Sequence, residues 1–232
     1  ANKQSQKVFD QTLTLRPQSV DLIWQSEESY VPPFYEGKAL PGESSLISVL
    51  ALPNFVFGGK IIDPKTMAYT WYLNGNFIHG AEGYGKQKLT TNLDYLSEKN
   101  IIKVIVRDQN DNISQNEVTI YPNQIDPVFY FNDPLFGLDL SKAIRNRLEI
   151  NKEFTLNFVP YYLSTKNIPN SQIVSNWSLG GLPITNIKNN SISMKPAEGG
   201  YGSKILSINI DNTARILQEI KTNLDIVFDT RQ

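Results

Sequence analysis

The chain carries an internal duplication, which constrains its fold more than any other feature of the sequence. Four short blocks occur twice, in the same order, along the 232 residues. Matching blocks in one order predict that each half of the chain is a copy of one structural unit. The paired blocks are Leu22-Ile23-Trp24 with Val128-Phe129-Tyr130-Phe131, Pro33 to Leu40 with Pro134 to Ile144, Trp71 to Ile78 with Trp177 to Ile184, and Gly83 to Leu89 with Gly200 to Leu206.

Short apolar runs bounded by proline, asparagine and glycine predict that both copies are built from strands. Tyr69 to Leu73 is followed by Asn74-Gly75, whose residues tolerate the positive φ that a tight hairpin needs. Gly180-Gly181 has the same role in the second copy. Further strands are predicted at Val49 to Leu52, Ile101 to Val106, Glu117 to Ile120, Phe154 to Phe158 and Leu224 to Phe228.

Many short strands, with turn signals about every 8–12 residues, are typical of an antiparallel sandwich. We therefore predict an all-β protein of two tandem immunoglobulin-like (polycystic-kidney-disease-like) antiparallel β-sandwich domains. Trp71 and Trp177 fall on the third strand of each copy, where immunoglobulin-like folds bury a core aromatic side chain. Each tryptophan is therefore expected to lie between the two sheets of its domain.

Pro122 and Pro127 mark the junction between the two copies. Because proline restricts the backbone, two prolines in so short a link predict a defined relative orientation of the domains. The predicted units are an N-terminal extension or edge strand in residues 1–19 (with Gln11 to Leu15 as the strand), a first sandwich in residues 20–122 and a second in residues 123–232.

One segment departs from the strand pattern. Between Ala214 and Lys221 the apolar residues are spaced for one face of a helix, and Asn212 or Thr213 could cap it. The segment has only about two helical turns, which is short for an independent helix. We expect a helical turn that crosses between the two sheets of the second copy.

The charge balance argues against a nucleic-acid-binding protein. The chain has 22 basic and 23 acidic residues and a formal net charge of −1, whereas nucleic-acid binding requires a concentrated positive surface. No apolar run approaches the roughly 20 residues that a helix needs to span a bilayer. We expect neither a nucleic-acid partner nor a membrane span. Because Ala1 is small and precedes a polar stretch, we expect a leader to be removed just before it.

The residues that most catalytic sites need are scarce. The chain has no cysteine, which excludes disulfides, thiolate metal sites and cysteine nucleophiles. His79 is the single histidine, so zinc sites and serine–histidine triads have too few partners. We predict a protein without enzymatic activity and without a cofactor. Hydrolysis by a pair of carboxylates is an alternative, since any two of the 23 acidic residues could be paired.

A run of oxygen-bearing side chains follows the predicted strand that ends at Val106. Asp108, Asn110, Asp111 and Asn112 could offer ligands to calcium, which takes six to eight oxygen atoms. The same residue types are preferred in hairpin turns. A hairpin turn is the favoured interpretation, and a calcium site at these four residues is the alternative.

Aromatic side chains supply the candidate partner-binding residues. Tyr30, Phe34 and Tyr35 surround two prolines, and Tyr84 lies between two glycines. Such rings offer a large contact area to a carbohydrate or peptide at low entropic cost. The alternative is a packing role, which the repetition of the Pro-aromatic block favours. For the Gly-Tyr-Gly triplets we expect tight turns with a packed tyrosine.

The sequence resembles a group of exported proteins from the ultra-small bacteria of the candidate phyla radiation. The resemblance covers roughly residues 20–230, implies export and an immunoglobulin-like or polycystic-kidney-disease-like repeat, and carries no activity or functional residues with it. The similar stretches are Leu22 to Trp24, Tyr30 to Leu40, Ala51 to Asn54, Tyr69 to Gly75, Phe129 to Gly137 and Val159 to Thr165.

Together these observations predict an exported, non-enzymatic protein of the cell envelope or extracellular space. It would act as a tandem immunoglobulin-like spacer or adaptor whose partners are other envelope or surface proteins. The alternative is an adhesin or carbohydrate-binding module that uses the exposed aromatic side chains.

Overall fold

The computed structural model describes residues 18–33, 35–185 and 187–231. In these ranges the chain is almost entirely β-structure, with two short 3-10 helices at Pro64–Thr66 and Asn170–Gln172. Neither of these helical turns, nor any other helix in the described ranges, has the length and apolarity needed to cross a membrane. The predicted all-β fold class is confirmed.

The strands up to residue 120 form two antiparallel sheets and a small hairpin. One sheet has the order β1-β2-β8, the other has the order β10-β9-β5-β6 with β7 also paired to β5, and β3 pairs with β4. The strands are β1 (Ser19–Ser26), β2 (Leu46–Asn54), β3 (Val56–Phe57), β4 (Lys60–Ile61), β5 (Ala68–Leu73), β6 (Asn76–Phe77), β7 (Gly83–Tyr84), β8 (Lys88–Asn92), β9 (Asn100–Arg107) and β10 (Ile113–Ile120).

The strands from residue 126 onward form two further sheets. Their orders are β12-β11-β14-β17 and β13-β19-β18-β15-β16, in which β13 runs parallel to β19. The strands are β11 (Asp126–Asp133), β12 (Gly137–Leu138), β13 (Arg147–Ile150), β14 (Phe154–Tyr161), β15 (Ile173–Leu179), β16 (Leu182–Ile184), β17 (Ser191–Met194), β18 (Tyr201–Asn212) and β19 (Glu219–Asp229).

Strand pairing shows that the two halves are copies of one sandwich. The sheet β1-β2-β8 corresponds to β11-β14-β17, and the sheet β10-β9-β5-β6 corresponds to β19-β18-β15-β16. Even the register is conserved, since Val49 pairs with Leu89 in the first half and Leu156 with Ile192 in the second. All four of these side chains are buried. The first three repeated blocks therefore fall on equivalent elements.

The fourth repeated block falls on strands that are not equivalent. Leu89 lies on β8, which pairs with β2, whereas Leu206 lies on β18, which pairs with β15 and β19. The expectation of packed tyrosines is also wrong, because Tyr84 is 72% exposed and Tyr201 is 66% exposed. Gly-Tyr-Gly is a short pattern that suits any strand end, so it matched between two strands that are not equivalent.

Both tryptophans fill the space between the two sheets of their own half. Trp71 on β5 is fully buried, and its Nε1 donates to the carbonyl oxygen of Lys86 at 2.9 Å. Trp177 on β15 is 5% exposed, and its ring meets Phe158 edge-on at 5.7 Å. Strand alternation accounts for these positions, because every second residue of a strand faces the core.

The helical turn expected between Ala214 and Lys221 is wrong. Residues 213–217 form a turn that joins β18 to β19, and Glu219 already belongs to β19. Leu217 has a φ of 60°, which ends any right-handed helical path. The apolar spacing arises because Ile220 faces the core as a strand residue while Ile216 and Leu217 are exposed in the turn.

Removal of either core tryptophan is expected to destabilise its own domain. Replacing Trp71 or Trp177 by alanine leaves a cavity in a close-packed core, which costs about 3–5 kcal/mol in free energy of unfolding. Chemical denaturation followed by circular dichroism measures the change. Tyr84→Ala is the control, with an expected effect of roughly 0.5 kcal/mol or less because the ring is exposed. Equal stability of Trp71→Ala and the unsubstituted chain would contradict the assigned core.

Candidate functional site

The connection between β1 and β2 carries Tyr30 into contact with the second half of the chain. We call this connection, residues 27–33 and 35–45, the first strap. Tyr30 packs against Val128, Tyr130 and Val159 on the outer face of the sheet formed by β11 and β14. Its backbone N–H donates to the carbonyl oxygen of Leu163 at 2.7 Å. These contacts make Tyr30 a packing residue at the junction between the domains, and its burial raises the pKa of the hydroxyl.

A buried ion pair joins the first strap to the turn between β18 and β19. The Arg215 guanidinium donates to both carboxylate oxygens of Glu28, at 2.8 Å from Nε and 2.5 Å from Nη2. The Glu28 carbonyl oxygen also accepts hydrogen bonds from the backbone N–H groups of Thr165 and Lys166. The Glu28 side chain is only 6% exposed. Separating the domains would therefore break this ion pair and expose both charges to water.

Gln218 is the hydrogen-bonding centre of the same junction. Its Nε2 donates to the carbonyl oxygen of Glu43 at 2.6 Å and lies within hydrogen-bond distance of the hydroxyl oxygens of Ser45 and Ser164. Its Oε1 accepts from the backbone N–H of Ser164 at 2.7 Å and from Nδ2 of Asn212. Every polar atom of this buried side chain therefore has a partner, and two of those partners belong to the first strap.

Gly42 sets how closely the two halves approach. It forms a parallel β-bridge with Asn123, whose N–H donates to the carbonyl oxygen of Pro41 at 2.8 Å. A Cβ atom at position 42 would lie 2.4 Å from the carbonyl oxygen of Tyr162. Because that neighbour is backbone and cannot swing away, any other residue at this position must shift the domains apart.

Sequence reasoning missed these polar junction residues. Glu28, Arg215 and Gln218 become partners only through the packing of two domains, with 187 positions of chain between Glu28 and Arg215. A pattern of residues close together in the sequence cannot predict a pairing between residues so far apart. The repeated Pro-aromatic block favoured a shared packing role, which Tyr30 has. That role is wrong for Leu135 and Phe136, which are 87% and 90% exposed, and Tyr35 is 44% exposed.

The candidate calcium ligands lie in the hairpin turn between β9 and β10. Asp108 is buried, and its Oδ1 accepts from the backbone N–H groups of Asn110 and Asn112 at 2.8 and 2.9 Å. Its Oδ2 accepts from Nδ2 of Asn112 at 2.8 Å. Asp111 has a φ of 59° and faces Arg107 at the surface. These contacts match the hairpin interpretation, because both oxygens of Asp108 already hold the turn.

Metal-binding geometry was searched for across the described ranges. Within residues 18–33, 35–185 and 187–231, no group of three or more His, Asp or Glu side chains is arranged to hold a metal ion. Calcium binding at Asp108 and its neighbours stays a prediction, which the titration below tests.

The other candidate aromatic residues do not form one platform. Tyr35 lies on the first strap, is 44% exposed, and its hydroxyl approaches the carbonyl oxygen of Lys38 at 3.4 Å. Tyr84 lies on β7, at the edge of the other sheet of the first domain. Phe34 falls outside the described residues. Tyr30 belongs to the junction, so Tyr84 is the most exposed of the described candidates.

The chain also has an apolar cavity of about 280 Å³ at the end of the second domain away from the junction. Ile150, Met194 and Phe228 line it together with Lys195 and Lys204. Its lining, among the described residues, includes no carboxylate, so it does not offer the pair that glycoside hydrolysis needs.

His79 is exposed and packs edge-on against Phe77 at 4.7 Å.

Replacing Asp108 by alanine is expected to destabilise the first domain by about 1–3 kcal/mol, because three donors of the turn lose their acceptor. Burial raises the pKa of Asp108, but the hydrogen bonds from Asn112 and Asn110 together outweigh it and hold the pKa below its ordinary value of 3.8. The stabilisation is therefore complete above pH 3.8 and is lost as pH falls through the lower folded-state pKa. Thermal melting between pH 2 and 7, roughly the range of carboxyl titration, measures it.

Asp111→Asn is the matched control, because asparagine tolerates the positive φ and the exposed ion pair with Arg107 contributes little. Adding calcium to metal-free protein is expected to leave the melting temperature unchanged. A rise in melting temperature with calcium that disappears in Asp108→Ala would instead establish the calcium site.

Comparison with known proteins gives distant structural similarity. No family model matches the chain, and no curated protein matches it. Among solved structures, it is similar to three N-terminal domains of the Highly Immunogenic Outer Capsid protein (Hoc) of bacteriophage RB49, with 11% identity and a TM-score of 0.46 over 91% of this chain. The chain spans 59% of the length of that structure.

Two further solved structures extend the comparison. Murine CEACAM1b has 11% identity and a TM-score of 0.30, covering 90% of this chain and 99% of its own length. The Bacteroides ovatus protein SGBP-B, from a mixed-linkage glucan utilization locus and solved with a mixed-linkage heptasaccharide, has 9% identity and a TM-score of 0.26. It covers 89% of this chain and 70% of its own length. The assignment of two tandem immunoglobulin-like sandwiches rests on the strand order and register of the chain itself.

Proposed function

We propose that this chain is a rigid two-domain spacer or adaptor that binds other proteins through its exposed loops and sheet edges. The observation that carries the proposal is the buried polar junction, in which Glu28 pairs with Arg215 and Gln218 bonds to Glu43 and Ser45. A flexible tether between two domains would not need such contacts, because domains that move independently expose polar surfaces to water.

The junction supports a fixed orientation on energetic grounds. A different packed placement that kept Glu28 buried but moved it away from Arg215 would cost about 3–5 kcal/mol, since that charge would stay buried without compensation. An unsatisfied buried amide costs a further 1–3 kcal/mol or so. These contacts form in one relative placement of the two domains, and a fixed placement lets a spacer hold its ends at a set distance.

Apolar side chains on the outside of the sandwiches support a binding role. Tyr84, Leu135 and Phe136 are each more than two thirds exposed. Exposed apolar groups that occur close together mark interaction sites on soluble proteins, whereas isolated ones carry no such meaning. Leu135 and Phe136 are neighbours in the chain, and they satisfy that criterion.

Location at the cell surface or in the extracellular space is part of the proposal. It is supported by the resemblance of residues 20–230 to exported bacterial proteins. Crosslinking on intact cells, followed by identification of the attached proteins, tests this location and the spacer role together. Attached surface proteins are the expected result, and exclusive recovery of the chain from the cytoplasm would refute the location.

A carbohydrate-binding role is the second candidate, and the exposure of Tyr84 is the observation that favours it. An exposed tyrosine ring can stack on a sugar face. Screening of the chain against a glycan array tests the role, and binding that is lost in Tyr84→Ala would favour it over the spacer.

Gly42→Ala is expected to change the relative orientation of the domains while leaving each domain folded. The new Cβ would contact the backbone of Tyr162, and the domains must move apart to accept it. Small-angle X-ray scattering and interdomain residual dipolar couplings measure the change. Unaltered couplings would contradict a junction held at Gly42.

Glu149→Ala is the control for Gly42→Ala. It removes an exposed ion pair with Arg147 on β13, away from the junction, and such pairs contribute roughly 0–1 kcal/mol. Its scattering curve and couplings are expected to match those of the unsubstituted chain.

A further inference from the structure

The junction buries an apolar face of the second domain. Val128, Tyr130 and Val159 point outward from the sheet formed by β11 and β14, opposite the core residues Phe129 and Phe158. All three are nevertheless buried, with Val128 and Val159 fully so, because Tyr30 of the first strap and Leu138 pack on them. The first strap of one domain thus covers the outer face of the next domain along the row.

In the described part of the chain, the same face of the first domain is open to solvent. Strand register gives the equivalence, because Ile23 pairs with Leu50 as Tyr130 pairs with Asn157, and Leu52 lies two positions further along β2 as Val159 does along β14. Ile23 is 53% exposed and Leu52 is 41% exposed. The counterpart of Val128 is the exposed Asp21, so this face is less apolar than that of the second domain. We call Ile23, Leu50 and Leu52 the free face.

The second domain carries an uncovered strap. The connection that follows β11, residues 134–146, is the second strap and occupies the same place in its domain as the first strap. At its tip Leu135 is 87% exposed and Phe136 is 90% exposed. Within the described residues, the first strap thus packs on a neighbouring domain through Tyr30, whereas the tip of the second strap lies in solvent.

The tip of the second strap has a defined shape. Asp133 pairs with Gly137 across the β11–β12 hairpin, and Gly137 has a φ of 77°. The Asp133 Oδ1 accepts hydrogen bonds from the backbone N–H groups of Leu135 and Phe136 at 2.8 and 3.1 Å. Because the turn is held in this way, the two apolar side chains are presented to solvent at little further cost in backbone entropy.

The free face has a depression that can receive an apolar side chain. It has a volume of about 300 Å³ and is lined by three apolar and four polar residues, Ile23, Trp24, Leu50, Gln25, Glu27, Ser48 and Lys88. Ile23 and Leu50 lie on the outer side of β1 and β2, whereas Trp24 packs against the core of the first domain. The ion pair between Lys88 and Glu27, at 3.2 Å, lies beside the two outer residues.

We propose that the second strap of one copy docks, through Leu135 and Phe136, on the free face of the first domain of a second copy. The contact would again place a strap on the outer face of a sandwich, as the first strap lies on the second domain, but through the tip residues Leu135 and Phe136 in place of Tyr30. A second copy is the fitting occupant, because its first domain offers the same sheet, in the same register, with that face exposed.

Association of this kind joins unlike surfaces, so each added copy again presents a free face at one end and a free strap at the other. Such head-to-tail contacts build open rows unless the rotation between copies closes a ring. The inference goes beyond the proposed spacer function, and a strictly monomeric chain would leave the rigid two-domain spacer intact.

Sedimentation velocity at increasing concentration tests the proposal on the whole chain. The unsubstituted chain is expected to associate progressively at concentrations up to about 1 mM, a range in which weak contacts of a few side chains become populated. Phe136→Asp blocks the strap and Ile23→Asp blocks the free face. Each is expected to weaken association at least about tenfold, and Tyr84→Asp, on the opposite sheet, is the control that keeps it.

Mixing the two blocked variants distinguishes docking from misfolding. Phe136→Asp keeps its free face and Ile23→Asp keeps its strap, so an equimolar mixture is expected to form dimers and nothing larger. If Ile23→Asp fails to fold by circular dichroism, Ile23→Thr replaces it. A monomeric unsubstituted chain at every concentration, a mixture that stays monomeric, or association that survives both substitutions would each overturn the proposal.

Discussion

The arrangement of the two domains depends on a buried amide. The Nε2 of Gln218 donates a hydrogen bond to the carbonyl oxygen of Glu43, and its Oε1 accepts one from the N–H of Ser164. Gln218 is therefore hydrogen-bonded to both domains at once. A buried amide that loses such partners keeps the full desolvation penalty, and this makes other domain placements unfavourable. Hydrophobic contact at Tyr30 supplies attraction, but it is non-directional. The polar contacts determine which placement is adopted.

Duplication gave the two domains equal strands and unequal surroundings. Each sandwich has an outer face on its first two strands and a strap that leaves the first of those strands. In a row of two domains, the first strap packs on the outer face of the second domain, whereas the second strap has, in the described part of the chain, no following domain to pack on. The consequence is visible in exposure, since Tyr130 is buried while its counterpart Ile23 is open to solvent. Two copies of one fold thus acquire different surfaces, partly from their position in the row and partly from residue changes such as Asp21 in place of Val128.

Much of the fold could be predicted because it is local and periodic. The strand around Trp71, the Asn74-Gly75 hairpin and the core alternation of β9 follow from residue types a few positions apart. The prediction of a helical turn after Ala214 was wrong because apolar residues spaced three or four apart occur both in helices and where a turn meets a strand. The Gly-Tyr-Gly match misled because three residues carry too little information to identify a strand.

The candidate site was harder to predict, because it is made by packing between domains. Tyr30 was predicted as a partner-binding aromatic, and its partner is the second domain of the same chain. Glu28 and Arg215 have no signature, since each is an ordinary charged residue until the fold brings them together. The hairpin turn at Asp108 could be predicted, because hydrogen bonds within a turn depend only on neighbours in sequence.

Exposure of single apolar residues is normal in soluble proteins, and Tyr201 needs no further explanation of its own. Leu135 and Phe136 differ, because they are adjacent and the carboxylate of Asp133 holds their backbone in one shape. A rigid apolar tip loses little entropy when it binds, so its exposure has a functional consequence that a mobile loop would not have. The strap that orders two domains within the molecule is therefore also the element best suited to order molecules in a row.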